Sequence, residues 1–233
     1  MRTLFRLSMV LAIPVCFGQA AGTAQISGMV VDDAKQPVAL AFVTVTRFPY
    51  NPKDGPASVS FTTGKDGKFL FTGLLPATYS GCVYLAQQRG YLDTCEWGMQ
   101  SNFQIKAGQA ITGVVLPITK GGQVLFEVSD PKGLKPIESP TAAAVAHYGL
   151  VADSGSQHYG RYYFSQQGKH TYILNVPFGR SMQVRVVANT AVVKDAGGNS
   201  LSTGAALPAT AFVLSKGDGP KKISLSLDSV LGK

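Results

Sequence analysis

The sequence predicts an all-β fold in two tandem domains behind a cleaved signal peptide. Three observations lead there: apolar and polar residues alternate in short runs, Gly and Pro interrupt the runs at close intervals, and a first-half pattern returns in the second half. Composition agrees. Only 15% of residues are charged, 45% are apolar and 26 are glycine, where an average domain is roughly 25% charged. Such a chain suits short strands joined by turns.

Residues 1–20 read as a secretory signal peptide. Arg2 and Arg6 precede an apolar run from Leu7 to Phe17, and Gly18 and Ala20 are the small residues at −3 and −1 of a cut after Ala20. The run is too short to span a bilayer. Cys16 follows Val15, where a lipoprotein cleavage site would resemble the known pattern only with Gly or Ala, so no lipid anchor is expected. No later segment approaches about 18 continuous apolar residues. The expected product is exported, to the periplasm, cell surface or exterior, without a transmembrane segment.

Losing Arg2 and Arg6 lowers the formal charge from +8 by two. Residues 21–118 hold seven Lys/Arg against six Asp/Glu, and residues 119–233 hold twelve against seven. A basic C-terminal half would suit an anionic envelope surface or acidic polysaccharide. The charges are spread, however, with only Lys221-Lys222 adjacent, and a solvated surface is the simpler reading. Nucleic acid is disfavoured because no basic run is interleaved with aromatics.

Along the mature chain, Ile26 to Val31 reads as a strand, Asp32 to Pro37 as a polar turn, and Val38 to Thr46 as a second strand with Ala41, Val43 and Val45 on one face. Pro49 to Pro56 is a loop, Val59 to Thr63 a strand, and Lys65-Asp66-Gly67-Lys68 a hairpin turn. Gly67 to Leu85 then holds two strands and a tight connection at Gly73 and Pro76, with Phe69 and Phe71 on one inner face and Tyr79, Gly81 and Val83 on the other. As a pair they would be marginal alone, so flanking segments must cover them. Phe103 to Leu116 adds a strand, a Gly turn and a closing strand.

The order Ile26-x-Gly28-x-Val30-x-Asp32, Pro37-Val38, Ala41-x-Val43-x-Val45, Thr63, Gly67-x-Phe69-x-Phe71, Leu75-Pro76 and Tyr79 resembles the carboxypeptidase regulatory-like domain. Departures fall at Lys35-Gln36 and Ala77, where the family favours Gly, and at Gly64, where it favours Asp. The resemblance implies a transthyretin-like (prealbumin-like) β-sandwich for residues 21–118. It implies no catalysis, since such modules accompany peptidases, sugar-active enzymes and transporters without acting themselves.

The second half, residues 119–233, repeats the pattern. Tyr172, Val176-Pro177 and Val184 follow Phe71, Leu75-Pro76 and Val83 by about 101 positions, and the closing pattern returns at Phe212 to Leu227. Two tandem Greek-key-type β-sandwich domains, divided near Thr119 to Gly122, are therefore expected. Within this half Gln123 to Val128 is a strand and Asp130 to Gly133 a turn. Thr141 to Val151 fits either helix or strand. Arg161 to Phe164 and Thr171 to Val176 form a hairpin around Gln166 to Lys169, Met182 to Ala188 is a strand, and Lys194 to Gly204 is a loop.

Two cysteines, Cys82 and Cys95, remain after cleavage. In an oxidising compartment they are expected to form one disulfide. Closing about 14 residues contributes roughly 3 kcal/mol. The spacing is neither a redox Cys-x-x-Cys nor a zinc knuckle. His147, His158 and His170 show no metal-ligand spacing, Asp153-Ser-Gly-Ser156 lacks a nucleophile elbow, and no glycosidase-type carboxylate pair stands out. The sequence nominates no catalytic residue, metal or cofactor.

Two aromatic clusters could stack on sugar rings: Tyr84, Tyr91 and Trp97 around the disulfide, and Tyr159, Tyr162 and Tyr163 in the second half. Core packing is the competing reading for both, with Trp97 the exception because its loop is flanked by Gly. The expected function is a non-catalytic binding or scaffolding module at the cell envelope, whose partner is an envelope protein or a polysaccharide. Specific carbohydrate binding comes second, and a hydrolase with an unrecognised site third. Oligomeric state is not legible.

Overall fold

The computed structural model describes residues 22–86, 89–130, 148–154, 157–163, 168–188 and 191–230. The signal segment, residues 141–147 of the ambiguous stretch and His147 lie outside them.

The first half supplies β1 (Ala24–Val31), β2 (Phe42–Phe48), β3 (Ser58–Thr62), β4 (Lys68–Leu74), β5 (Ala77–Tyr84), β6 (Ser101–Ile105) and β7 (Ala110–Pro117). They form two sheets, ordered β4-β1-β7 and β3-β2-β5-β6. Alternation turns Ile26, Val43, Val45, Phe71, Tyr79 and Val83 inward, where they share one core. β7 runs parallel to β1. Gly28 permits that approach, because a Cβ there would stand 2.0 Å from the Val114 carbonyl oxygen.

The second half supplies β8 (Gly122–Asp130), β9 (Tyr148–Ser154), β10 (Gln157–Tyr163), β11 (Gly168–Val176), β12 (Met182–Ala188), β13 (Ala191–Asp195), β14 (Ser200–Leu201), β15 (Ala206–Phe212) and β16 (Lys221–Val230). Its sheets are β10-β9-β12-β15 and β11-β8-β16-β13-β14. Substituting β8 to β12, β15 and β16 for β1 to β7 reproduces the first topology, and β16 runs parallel to β8 as β7 does to β1. β13 and β14 are the addition. Val124, Phe126, Leu174, Val184 and Leu227 belong to this second core. The chain is thus all-β, with two β-sandwiches in tandem.

Several expected connections are corrected. β4 and β5 are not hydrogen-bonded neighbours: they belong to opposite sheets, and Phe71 and Tyr79 pack in the core between them. Gly73, at φ 70°, lies just before the connection. The turn at Lys65 to Lys68 likewise carries the chain from β3 to the other sheet, and β10 and β11, expected as a hairpin, also separate. In the first two cases a short link between alternating strands crosses the sandwich. β2 begins at Phe42 rather than Val38. Before it, Leu40 adopts φ 57°, and the Thr63 hydroxyl donates to the Val38 carbonyl while accepting from the Ala41 amide, which holds a turn. The loop expected over Lys194 to Gly204 contains the end of β13 and all of β14, closed by the Asp195 carboxylate accepting the Asn199 amide.

Candidate functional site

The Cys82–Cys95 disulfide ties β5 to the segment that follows it. The backbone makes this segment a second support. The Val83 amide donates to the Thr94 hydroxyl at 2.7 Å and the Thr94 amide to the Val83 carbonyl at 2.9 Å. Asp93 Oδ1 accepts the amides of Cys95 and Glu96, at 2.8 and 3.2 Å, and its carbonyl accepts the Trp97 amide. The turn that results projects Trp97 away from the first core.

Trp97 enters the second core together with Leu92, and only 3% of its surface is exposed. Its indole N–H donates to the Asn175 carbonyl at 3.1 Å, and Asn175 Nδ2 donates to the Tyr91 carbonyl at 3.0 Å. Beside it, Leu92 donates to the Thr119 carbonyl and Gly121 to the Gly90 carbonyl, which pairs the loop with the link between the sandwiches. The Gly-flanked loop thus carries its tryptophan into a core, not to solvent, because the second sandwich supplies the apolar surroundings.

A cavity of about 300 Å³ opens at this junction. Tyr84, Tyr91 and Trp97 all line it, so the structure brings together the three aromatics nominated around the disulfide. They differ in exposure: Tyr91 is buried between Arg89 and Lys120, whose charged groups lie 5.8 and 5.5 Å from its ring centroid, whereas Tyr84 is 41% exposed. Phe42 faces Tyr84 in the β2–β5 register, and their rings stack at 5.0 Å with an interplanar angle of 11°. The pair forms an apolar wall.

Two carboxyls border the same cavity. Burial pushes Glu96 up from 4.5 to about 7, with the neighbouring Asp93 adding to the rise, and burial also raises Asp93. Near neutrality Glu96 therefore holds its proton about half the time and serves as both hydrogen-bond donor and acceptor. Asp93 is committed to the turn through its two amide contacts.

Phe42, Asp93, Glu96 and Asn175 were missed from sequence. Phe42 had a signal, since alternation sets it opposite Val43 and Val45; Asn175 had none, lying far away in sequence. Tyr159, Tyr162 and Tyr163 lie on β10, but their side chains lie outside the described residues. Among the described residues, no group of three His, Cys, Asp or Glu side chains is placed to hold a metal, and no helix is long and apolar enough to cross a membrane. A larger groove of about 630 Å³ runs along the outside of β4-β1-β7, past Met29, Leu70 and Val115. It is less suited to selective recognition because few polar groups converge there.

No family model matches the chain, and no curated protein matches it. Among solved structures the chain is similar to the Bacillus anthracis TIE protein, with 12% identity and a TM-score of 0.33 over 89% of this chain and 34% of that one. It is similar to a streptococcal ancillary pilin, at 13% identity and a TM-score of 0.38, over 88% of this chain and 62% of that one. A DUF3823 family protein from Parabacteroides merdae gives 14% identity and a TM-score of 0.32, over 72% of this chain and 91% of that one. The chain thus spans under two thirds of the length of the first two.

Proposed function

We propose that the chain is an exported, non-catalytic binding or scaffolding module of the cell envelope, made of two β-sandwich domains, with the junction cavity as its binding site. The carrying observation is that cavity: aromatic walls and two carboxyls converge where one sandwich inserts Trp97 into the other. Export is supported by the signal-like N-terminus and by the Cys82–Cys95 disulfide. Asp93 accepts the amides of Cys95 and Glu96, which commits its carboxylate to holding the turn.

A saccharide is the ligand class that the stacked Phe42–Tyr84 wall favours, since a flat, half-exposed aromatic surface beside a protonatable carboxyl can meet both the C–H face and the hydroxyls of a sugar ring. A glycan array with the mature protein tests this directly. Binding that Tyr84→Ala and Phe42→Ala weaken at least tenfold, with unfolding midpoints kept, supports it. A blank array removes the saccharide and leaves the scaffold reading, and release of sugars from a bound glycan overturns the non-catalytic one.

A further inference from the structure

Among the described residues, the charged side chains that line the junction cavity are Asp93 and Glu96, and both are acidic. Neither carboxyl has a cationic partner there. Asp93 Oδ1 accepts the Cys95 and Glu96 amides, which leaves Oδ2, and the Glu96 carboxyl accepts no hydrogen bond from the described residues. The other elements around the cavity add no positive charge: β2 brings Phe42, β5 brings Tyr84 and β11 brings Asn175. Arg89 and Lys120 stand over the Tyr91 ring instead, and Arg89 donates to the Ala39 carbonyl; neither lines the cavity. Burial and the Asp93 charge therefore raise Glu96 with no cation to offset them.

The carboxyls share this space with the stacked Phe42–Tyr84 pair, whose rings keep 39 and 41% of their surface exposed and are not consumed by a core. Ligand pockets span roughly 300–1,000 Å³, so a cavity of about 300 Å³ holds one sugar ring. A ring on the aromatic wall lies in the same small volume as both carboxyls, and one of its substituents meets them. A hydroxyl in that position adds one donor. An ammonium adds three, makes each bond charge-assisted, and compensates the charge that burial disfavours. The same carboxyls repel an acidic sugar, so the site discriminates by charge.

We propose, on the reading that the junction cavity is the binding site, that its occupant is a sugar carrying a free amino group, a hexosamine without its acetyl, with the ammonium on Asp93 and Glu96 and the ring on the Phe42–Tyr84 wall. The chain is basic overall, formally +8, so capture of a cationic ligand has to come from a local site and not from the general field.

The test titrates the mature chain by calorimetry at about pH 5.5, where an amine is protonated. The probes are three β-1,4-linked tetramers that differ at carbon 2 alone: glucosamine, N-acetylglucosamine and glucose. The glucosamine tetramer is expected to bind about tenfold tighter or more than the other two. Binding should also release close to one proton, read from the dependence of the enthalpy on the buffer, because the ammonium displaces the proton from Glu96. Glu96→Gln abolishes that release and weakens the glucosamine tetramer by about tenfold or more, and Tyr84→Ala weakens it as well. Should Glu96→Gln fail to fold, the proton release of the wild-type chain decides the role of Glu96. Equal or tighter binding of the acetylated or neutral tetramer, weakened by Tyr84→Ala, overturns the amino sugar and leaves the cavity as a saccharide site. Glucosamine-selective binding that neither variant weakens overturns it by placing the cation elsewhere on the surface. No binding of any tetramer overturns the amino sugar together with the saccharide reading of the cavity.

Discussion

The Trp97 indole N–H meets the Asn175 carbonyl at 3.1 Å across 78 positions of the sequence. Trp97 is covalently part of the disulfide loop yet packs in the core of the second sandwich. The link between the halves is therefore not a free hinge, although Thr119 to Gly122 is short and rich in Gly.

Trp97→Ala should cost about 3–5 kcal/mol, and the loss should fall on the second sandwich. Denaturation followed by a probe in each half would check this, an equal loss in both being the contrary result. Fragments 21–119 and 120–233 extend the test. The second lacks Leu92 and Trp97, so its transition should come at lower denaturant than in the intact chain.

Phe71→Ala should cost about 3–5 kcal/mol in the first sandwich. Phe71 is 5% exposed, and Phe69, Val43 and Val45 share its core. A loss below about 1 kcal/mol would mean that the site collapses without a cavity.

Glu96 makes stability fall as pH rises. Its folded value of about 7 lies above the usual 4.5, so between these values the folded state holds more protons than the unfolded state. The stabilisation is complete below the lower value and is lost as pH rises through the higher. Glu96→Gln should flatten the decline between pH 5 and 7 in chemical denaturation, whereas an unchanged slope would assign it to other groups.

Lys35 adopts φ 63°, a left-handed conformation suited to Gly, at the position where the family resembled by the first half often carries it. Lys35→Gly should therefore stabilise by about 0.5–1 kcal/mol, after the greater freedom of an unfolded glycine is allowed for. A lower midpoint would show that the Lys35 side chain contributes more than its backbone costs.

The strand faces were legible because a period of two needs no partner. Phe69, Phe71, Tyr79 and Val83 were assigned inward from the alternation, and they are buried. Which strands bond to which was not, because Leu75-Pro76 can close a hairpin or cross between sheets. The aromatic cluster was legible as neighbours of a disulfide, but the burial of Trp97 depends on Asn175 and the second core, which no local pattern announces. Likewise, Arg47 reads as an ordinary strand cation until both sheets close around it.

The parallel alignment of β1 with β7, and of β8 with β16, carries a mechanical consequence. In each sandwich the chain enters at one end of a sheet and leaves at the other, so one sandwich advances it by about 26 Å, eight residues at roughly 3.3 Å each. Tension on the two ends pulls these neighbouring strands in opposite directions. Their hydrogen bonds are loaded together in shear instead of being peeled apart singly, and each sandwich becomes a spacer of fixed step that resists extension.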